Sequence, residues 1–259
     1  MLPRSLRITM VSLNAALYVI VGYLSFLGVF APIVGVVRFW GVAVVVPAVF
    51  AALFGGMVGG VGAAIGIFIS DMLIHGNAIL SLTVGVPANF VMFYLIGRLA
   101  QARPRTVVMN LGLSTGCLII IVLFFTNWIT GSDFSPAWAT FLIGFAVASI
   151  VLSFALVKLG SEWRSFALAS IIGNVCGSAI VGLGIWLLSQ FFIIPLQFGN
   201  QLRFTVALYL FAWTFTNQMP FLLAFVPPIL GACYKAFPSL IHKTPASHES
   251  LQDYSPTKN

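Results

Sequence analysis

Acidic residues are nearly missing from this chain, which has five Asp and Glu among 259 residues against twelve Lys and Arg. Glu249 and Asp253 fall in the polar C-terminal stretch, and Asp133 and Glu162 fall between apolar runs, which leaves Asp71 as the carboxylate inside one. Paired-carboxylate acid–base chemistry is therefore unsupported, and an ion-coupled carrier lacks the several buried carboxylates it usually needs. Histidine is as sparse: His75, His242 and His248 are too scattered to cluster around a metal. The three cysteines, Cys117, Cys176 and Cys233, lie singly in apolar runs and read as small packing residues instead of a disulfide or zinc framework. The chain also lacks G-x-x-x-x-G-K-[ST], H-E-x-x-H, G-x-S-x-G and C-x-x-C. Nothing calls for a cofactor, and no constellation supports an enzyme, including a polytopic enzyme acting on lipids.

Apolar residues fill the space that charge leaves. The chain is 60% hydrophobic and 7% charged, with a mean hydropathy of +1.08. Soluble domains carry about 25% charge, so this composition describes an all-α polytopic membrane protein. The net charge of +7 comes from single basic residues at the ends of apolar runs and does not indicate nucleic-acid affinity. The first apolar run, from Ile8 to Val37, is far longer than a signal-peptide core and is read as a retained span. Hydropathy and breakers predict a bundle of about eight spans: 8–30, 39–54, 57–74, 81–99, 107–128, 138–158, 166–190 and 204–235. They form one transmembrane domain, 1–235, followed by a disordered cytoplasmic tail, 236–259. The last span is too long for one simple crossing. It reads either as an outer segment over 204–215 before a final helix, or as a helix kinked at Pro220 and again at Pro227–Pro228.

With the N-terminus inside, ten basic residues fall on the cytoplasmic side and only Arg38 and Arg203 outside, which places both termini in the cytoplasm of a multi-pass cell-membrane protein. Trp40, Trp128, Trp138 and Trp163 fall at span ends, where tryptophan ordinarily anchors the interface.

The stretch from Arg38 to Asp71 organises the chain. Thirty-two uncharged residues separate the two charges, and glycines stand at 55, 56, 59, 60, 62 and 66. One helix of that length would overshoot a ~30 Å hydrocarbon layer by about half. A hairpin turning near Gly55–Gly56 solves this, and its small-xxx-small pairs (55/59, 56/60, 62/66) let backbones approach closely. Such a hairpin brings Arg38, Trp40, Asp71 and His75 to one face of the membrane. Asn77, Asn127, Asn217 and Gln218 complete an outward-facing polar set. Asp71 either meets a ligand or forms an ion pair with Arg38 that locks the hairpin. Asn89 and Asn174 read as interhelical hydrogen-bonding residues. Ser12-x-x-x-Ala16 in the first span is a further small pair, able to seat another helix.

These residues resemble the substrate-binding S components of energy-coupling factor (ECF) transporters. The likeness lies mainly in residues 8–100: the first helix VSLNAALYVIVGYL, the Arg-led VRFWGVAVVVPAVFAALFGG, the glycine-rich GGVGAAIGIFISD and the fourth helix VGVPANFVMFYLIGRL. SIIGNVCGSAIVGLGIWLL and TFTNQMPFLLAFVPPILGACYKAF look like later helices of such proteins. The resemblance implies capture of a vitamin or similar trace nutrient from outside a prokaryotic plasma membrane. It implies delivery to a transmembrane T component driven by two ATP-binding subunits, with Ser12 and Ala16 on the docking surface. Such proteins commonly have six spans, so the extra helices here are expected within 105–200. The proposed pocket is Arg38, Trp40, Asp71, His75, Asn77, Asn127, Asn217 and Gln218. A self-sufficient secondary transporter or channel, with Asp71 as its ion-linked group, is the alternative. Arg38→Ala is expected to weaken solute binding to the purified protein while its thermal unfolding is unchanged; unaltered affinity removes Arg38 from the site.

Overall fold

The computed structural model describes residues 3–27, 40–101, 112, 116, 136–159, 161–192 and 201–237, and every regular element among them is helical. In chain order these are α1 (Arg4–Phe26), α2 (Val45–Phe54), α3 (Gly56–Ile74), α4 (Ala78–Ala100), α5 (Pro136–Leu159), α6 (Ser161–Phe191) and α7 (Phe204–Ala236). Five of them, α1, α3, α4, α6 and α7, are long and apolar enough to cross a membrane. The predicted span 107–128 lies outside the described residues except for Gly112 and Gly116, which pack on Leu168 and Ile171 of α6.

The hairpin forms where the glycines place it. Gly55 takes φ +96°, a left-handed value that favours glycine, and separates α2 from α3. The two arms are unequal. The expected span 39–54 is instead a turn at 41–44 followed by a ten-residue α2, about 15 Å long and half a hydrocarbon layer. A close backbone crossing explains the turn: a Cβ on Gly41 would strike the Asn217 carbonyl of α7 and the Phe221 ring. Gln101 closes the opposite end, donating from Nε2 to the Ala52 carbonyl at 3.2 Å.

α3 is the hub, and its glycines address three neighbours at once. Gly56 and Gly60 face α4, where a Cβ would meet the carbonyls of Tyr94 and Phe90. Gly59 faces Ala51 of α2, and Gly62 and Gly66 face Asn14, Ala15 and Tyr18 of α1. α6 uses the same device, with Gly173 and Gly177 against Ile96, Met92 and Ala88 of α4, and Gly182 against the Ala207 carbonyl of α7. Lipid supplies no hydrophobic drive between helices, so van der Waals contact at this range does the associating.

The later helices separate the two readings of the last span. Residues 204–236 form one continuous helix that contains Pro220, Pro227 and Pro228, which removes the reading with a separate outer segment over 204–215 and keeps the single-helix one. At about 50 Å it exceeds the bilayer core. Trp163 lies in the opening turn of α6, at the start of an apolar span. In α4 the chain widens into a π turn over Ser81–Gly85. Pro87 accounts for it, since its ring crowds the carbonyl four residues earlier and it offers no N–H. Gly56→Ala is expected to destabilise the protein by about 1–3 kcal/mol through overpacking against α4. Gly144→Ala, where a Cβ meets nothing within 4 Å, should be neutral or slightly stabilising; thermal unfolding of the two variants checks this.

Candidate functional site

The polar residues gather along one side of α4, against the C-terminal half of α3 and the middle of α1. Ser81, Gly85 and Asn89 are spaced four apart and so share one face of their helix. Ser81, fully buried, donates its hydroxyl to Asp71 Oδ2 at 2.7 Å. A Cβ on Gly85 would lie 2.8 Å from the same carboxylate oxygen, so this glycine makes room for Asp71. One turn on, Asn89 Nδ2 donates to the Gly85 carbonyl at 2.9 Å, and Asn89 Oδ1 accepts from the Tyr18 hydroxyl at 2.7 Å. Tyr18 in turn accepts from Trp40 Nε1 at 2.8 Å. Trp40–Tyr18–Asn89 is thus a continuous relay through α1 and α4, beginning at the residue before the Gly41 crossing.

The rings fix this relay. Tyr18 has no solvent exposure and meets Trp40 and Phe93 edge-on, with centroids 6.3 and 6.2 Å away. Trp40 is not a free interface anchor: its six-membered ring sits in a slot left by Gly22, where a Cβ would be 3.1 Å from it, beside the Ser70 hydroxyl. Ser70 is itself fully buried and its Oγ has no hydrogen-bond partner.

At the end of α3, His75 Nε2 lies 3.4 Å from Asp71 Oδ1, long for a hydrogen bond and an ion pair only when the imidazole is protonated. His75 Nδ1 accepts from the Asn77 backbone N–H at 3.1 Å, and Asn77 Oδ1 caps α4 through the Leu80 N–H at 3.0 Å. Asn77 is therefore a turn-and-cap residue as built. Gly76, with φ +67°, completes that turn.

The predicted set is only partly united. Trp40, Asp71, His75 and Asn77 come together around α3 and α4, while Arg38 and Asn127 lie outside the described residues, as do Trp128 and the Trp138 side chain. Asn217 and Gln218 are buried in α7, next to the Gly41 crossing in the case of Asn217. Asn217 Nδ2 donates within its own helix to the Trp213 carbonyl at 2.7 Å, and the oxygens Asn217 Oδ1 and Gln218 Oε1 have no partner. An open apolar cleft of about 380 Å³ between α5 and α7, walled by Phe145, Pro220, Phe221 and Phe225, is lined by none of the predicted ligand residues.

Asn174 and Asn89 are interhelical hydrogen-bonding residues, as expected: Asn174 Nδ2 donates to the Phe215 carbonyl of α7 at 3.0 Å, and its Oδ1 accepts from Ser178. Sequence reading missed Tyr18, Ser81 and Asn14. Asn14 is fully buried, donates to the Val58 and Gly59 carbonyls at 3.1 and 3.2 Å, and fills the space that Gly62 leaves. A signal was present, since Asn14 and Tyr18 are four residues apart and so share the face of α1 opposite the exposed Ser12 and Ala16. No protein-family model, curated protein or solved structure matches this chain.

Tyr18→Phe removes one hydroxyl but strips both Trp40 Nε1 and Asn89 Oδ1 of a partner. The expected loss is about 1–2 kcal/mol of stability, above the ~0.6 kcal/mol average for a membrane interhelical hydrogen bond. Thermal denaturation beside Tyr23→Phe, which lies on the more exposed side of α1, checks it.

Proposed function

We propose that this chain is the substrate-capture subunit of an ECF-type importer. In this reading it spans a prokaryotic plasma membrane about eight times, keeps both termini in the cytoplasm and binds a vitamin-like nutrient from outside. It then passes that solute to a T component driven by two ATP-binding subunits.

The observation that carries the reading is the division of labour on α1. Its inner face holds Tyr18, joined to Trp40 and Asn89, whereas Ser12 and Ala16 lie exposed on the opposite face among Leu13 and Leu17. A small-residue strip left open on a membrane helix suits close approach of a second helix. Trp40, Asp71 and His75 supply aromatic and charged groups at the end of α3 that faces outward when the N-terminus is inside. A capture subunit needs no energy source of its own, which agrees with the lack of a nucleotide-binding loop and of coupling carboxylates.

One carboxylate does sit inside a span. Asp71, bonded to Ser81 and next to His75, is what favours the second reading, a secondary transporter or channel working alone. Reconstitution separates the two. The chain alone in liposomes is expected to give no accumulation under a proton or sodium gradient, and uptake is expected to require ATP and the T component. Ala16→Trp should abolish co-purification with the ATPase module while solute retention by the isolated subunit, followed by mass spectrometry, persists. Gradient-driven uptake by the chain alone, or normal assembly of the Ala16→Trp variant, overturns the capture reading.

A further inference from the structure

The hydrogen-bonding state of the site bears on which ligand it suits. Three of its side chains have a single polar proton each, and each proton is already committed: Trp40 Nε1 to Tyr18, the Tyr18 hydroxyl to Asn89, and the Ser81 hydroxyl to Asp71. Asn89 and Asn217 also direct Nδ2 at backbone carbonyls. The Ser70 hydroxyl and the second N–H of each amide remain as neutral donors, but the charged group left over is an acceptor. Asp71 Oδ1 has only the distant His75 Nε2, and Asn217 Oδ1 and Gln218 Oε1 are buried without a partner. A carboxylate with 16% of its side chain exposed, on a helix apolar enough to cross a membrane, is costly without a positive partner. Among the described residues His75 is the one basic group within ion-pair distance of Asp71. Gly85 lets the carboxylate approach α4 closely, and a side chain there would press on Oδ2.

The geometry points to a ligand that carries a positively charged, hydrogen-donating nitrogen group, such as an amidinium, guanidinium or protonated amine, with that group seated on Asp71. This deepens the capture reading and rests on it. Trp40 and Tyr18 then act as positioning residues, since the relay that joins them holds the indole beside the α3 end that carries Asp71.

Three probes of one size and differing charge test the inference: benzamidine (cation), benzamide (neutral) and benzoate (anion), each at millimolar concentration with the full chain in lipid nanodiscs. Binding is read by thermal stabilisation and by titration calorimetry. Benzamidine is expected to bind at least about tenfold more tightly than the other two, the scale of one charge-assisted contact. Asp71→Asn should erase the preference and Asp71→Glu should keep it. Should Asp71→Asn not fold, Gly85→Ala keeps every charge but displaces the carboxylate, and it should weaken benzamidine binding alone.

A flat response to the three probes, including no binding of any, overturns the inference, as does a benzamidine preference that survives Asp71→Asn. An Asp71 already neutralised by Arg38 would give that flat response. The solute that the wild-type protein retains gives a separate readout: a neutral or anionic solute, with ATPase-module assembly intact, overturns this inference and leaves the capture reading standing. Gradient-driven transport by the chain alone overturns the capture reading, and the probe series still decides the charge preference.

Discussion

Backbone-to-backbone approach at the glycines of α3 is the constraint on which the remaining structure depends. In lipid, an apolar side chain gains little by leaving the tails for another helix, so association rests on contact density and on hydrogen bonds that need close range. Gly56 and Gly60 admit α4, Gly59 admits α2, and Gly62 with Gly66 admits α1. One helix thus fixes the spacing of three others. The relay from Trp40 through Tyr18 to Asn89 follows from that spacing, because its two side-chain bonds of 2.8 and 2.7 Å join α1, α4 and the segment leading to α2, all seated on α3.

Energy alone would not explain why these polar groups are there. A single interhelical hydrogen bond in a membrane contributes about 0.6 kcal/mol on average, while leaving one of its groups buried and unpaired costs about 1–3 kcal/mol. The polar residues therefore act chiefly by forbidding other arrangements. Asn14 illustrates this, since its amide has to meet the Val58 and Gly59 carbonyls, and any rotation of α1 would leave it facing lipid. Asn174 does the same for α6 against α7. Asn217 and Gln218 differ, for their oxygens remain unpaired inside the bundle.

Much of the first half was legible because its signals are local. The Gly55 turn, the small-residue seams of α3 and the polar cluster at its end follow from spacing along one helix, with no knowledge of the partner. The half-length of α2 was not legible. It depends on Gly41 meeting α7 about 176 residues later, and apolar composition looks the same in a full span and in half of one. The course of α7 through three prolines was one of two readings that local signals left open, for a related reason. Tertiary packing holds Leu222, Leu223 and Val226 fully buried, and a propensity argument does not contain that packing. Tyr18 was passed over because a lone tyrosine in an apolar run looks like core. Only the positions of Trp40 and Asn89 give its hydroxyl two partners.

α1 draws these features into one argument. Ser12 and Ala16 lie on one side of it and Asn14 and Tyr18 on the other, within six residues or about 9 Å of helix. Asn14 pins the rotation of α1 about its axis, and Tyr18 ties the same helix to Trp40 and Asn89. In the capture reading, a ligand that drew Trp40 or Asn89 toward itself would pull on α1 through Tyr18, and the exposed strip lies across the same helix. Coupling between the site and that strip needs no long pathway through the bundle. It needs a rigid helix with different contacts on its two faces, and the glycine seams of α3 supply the close packing that makes such a helix respond as one body.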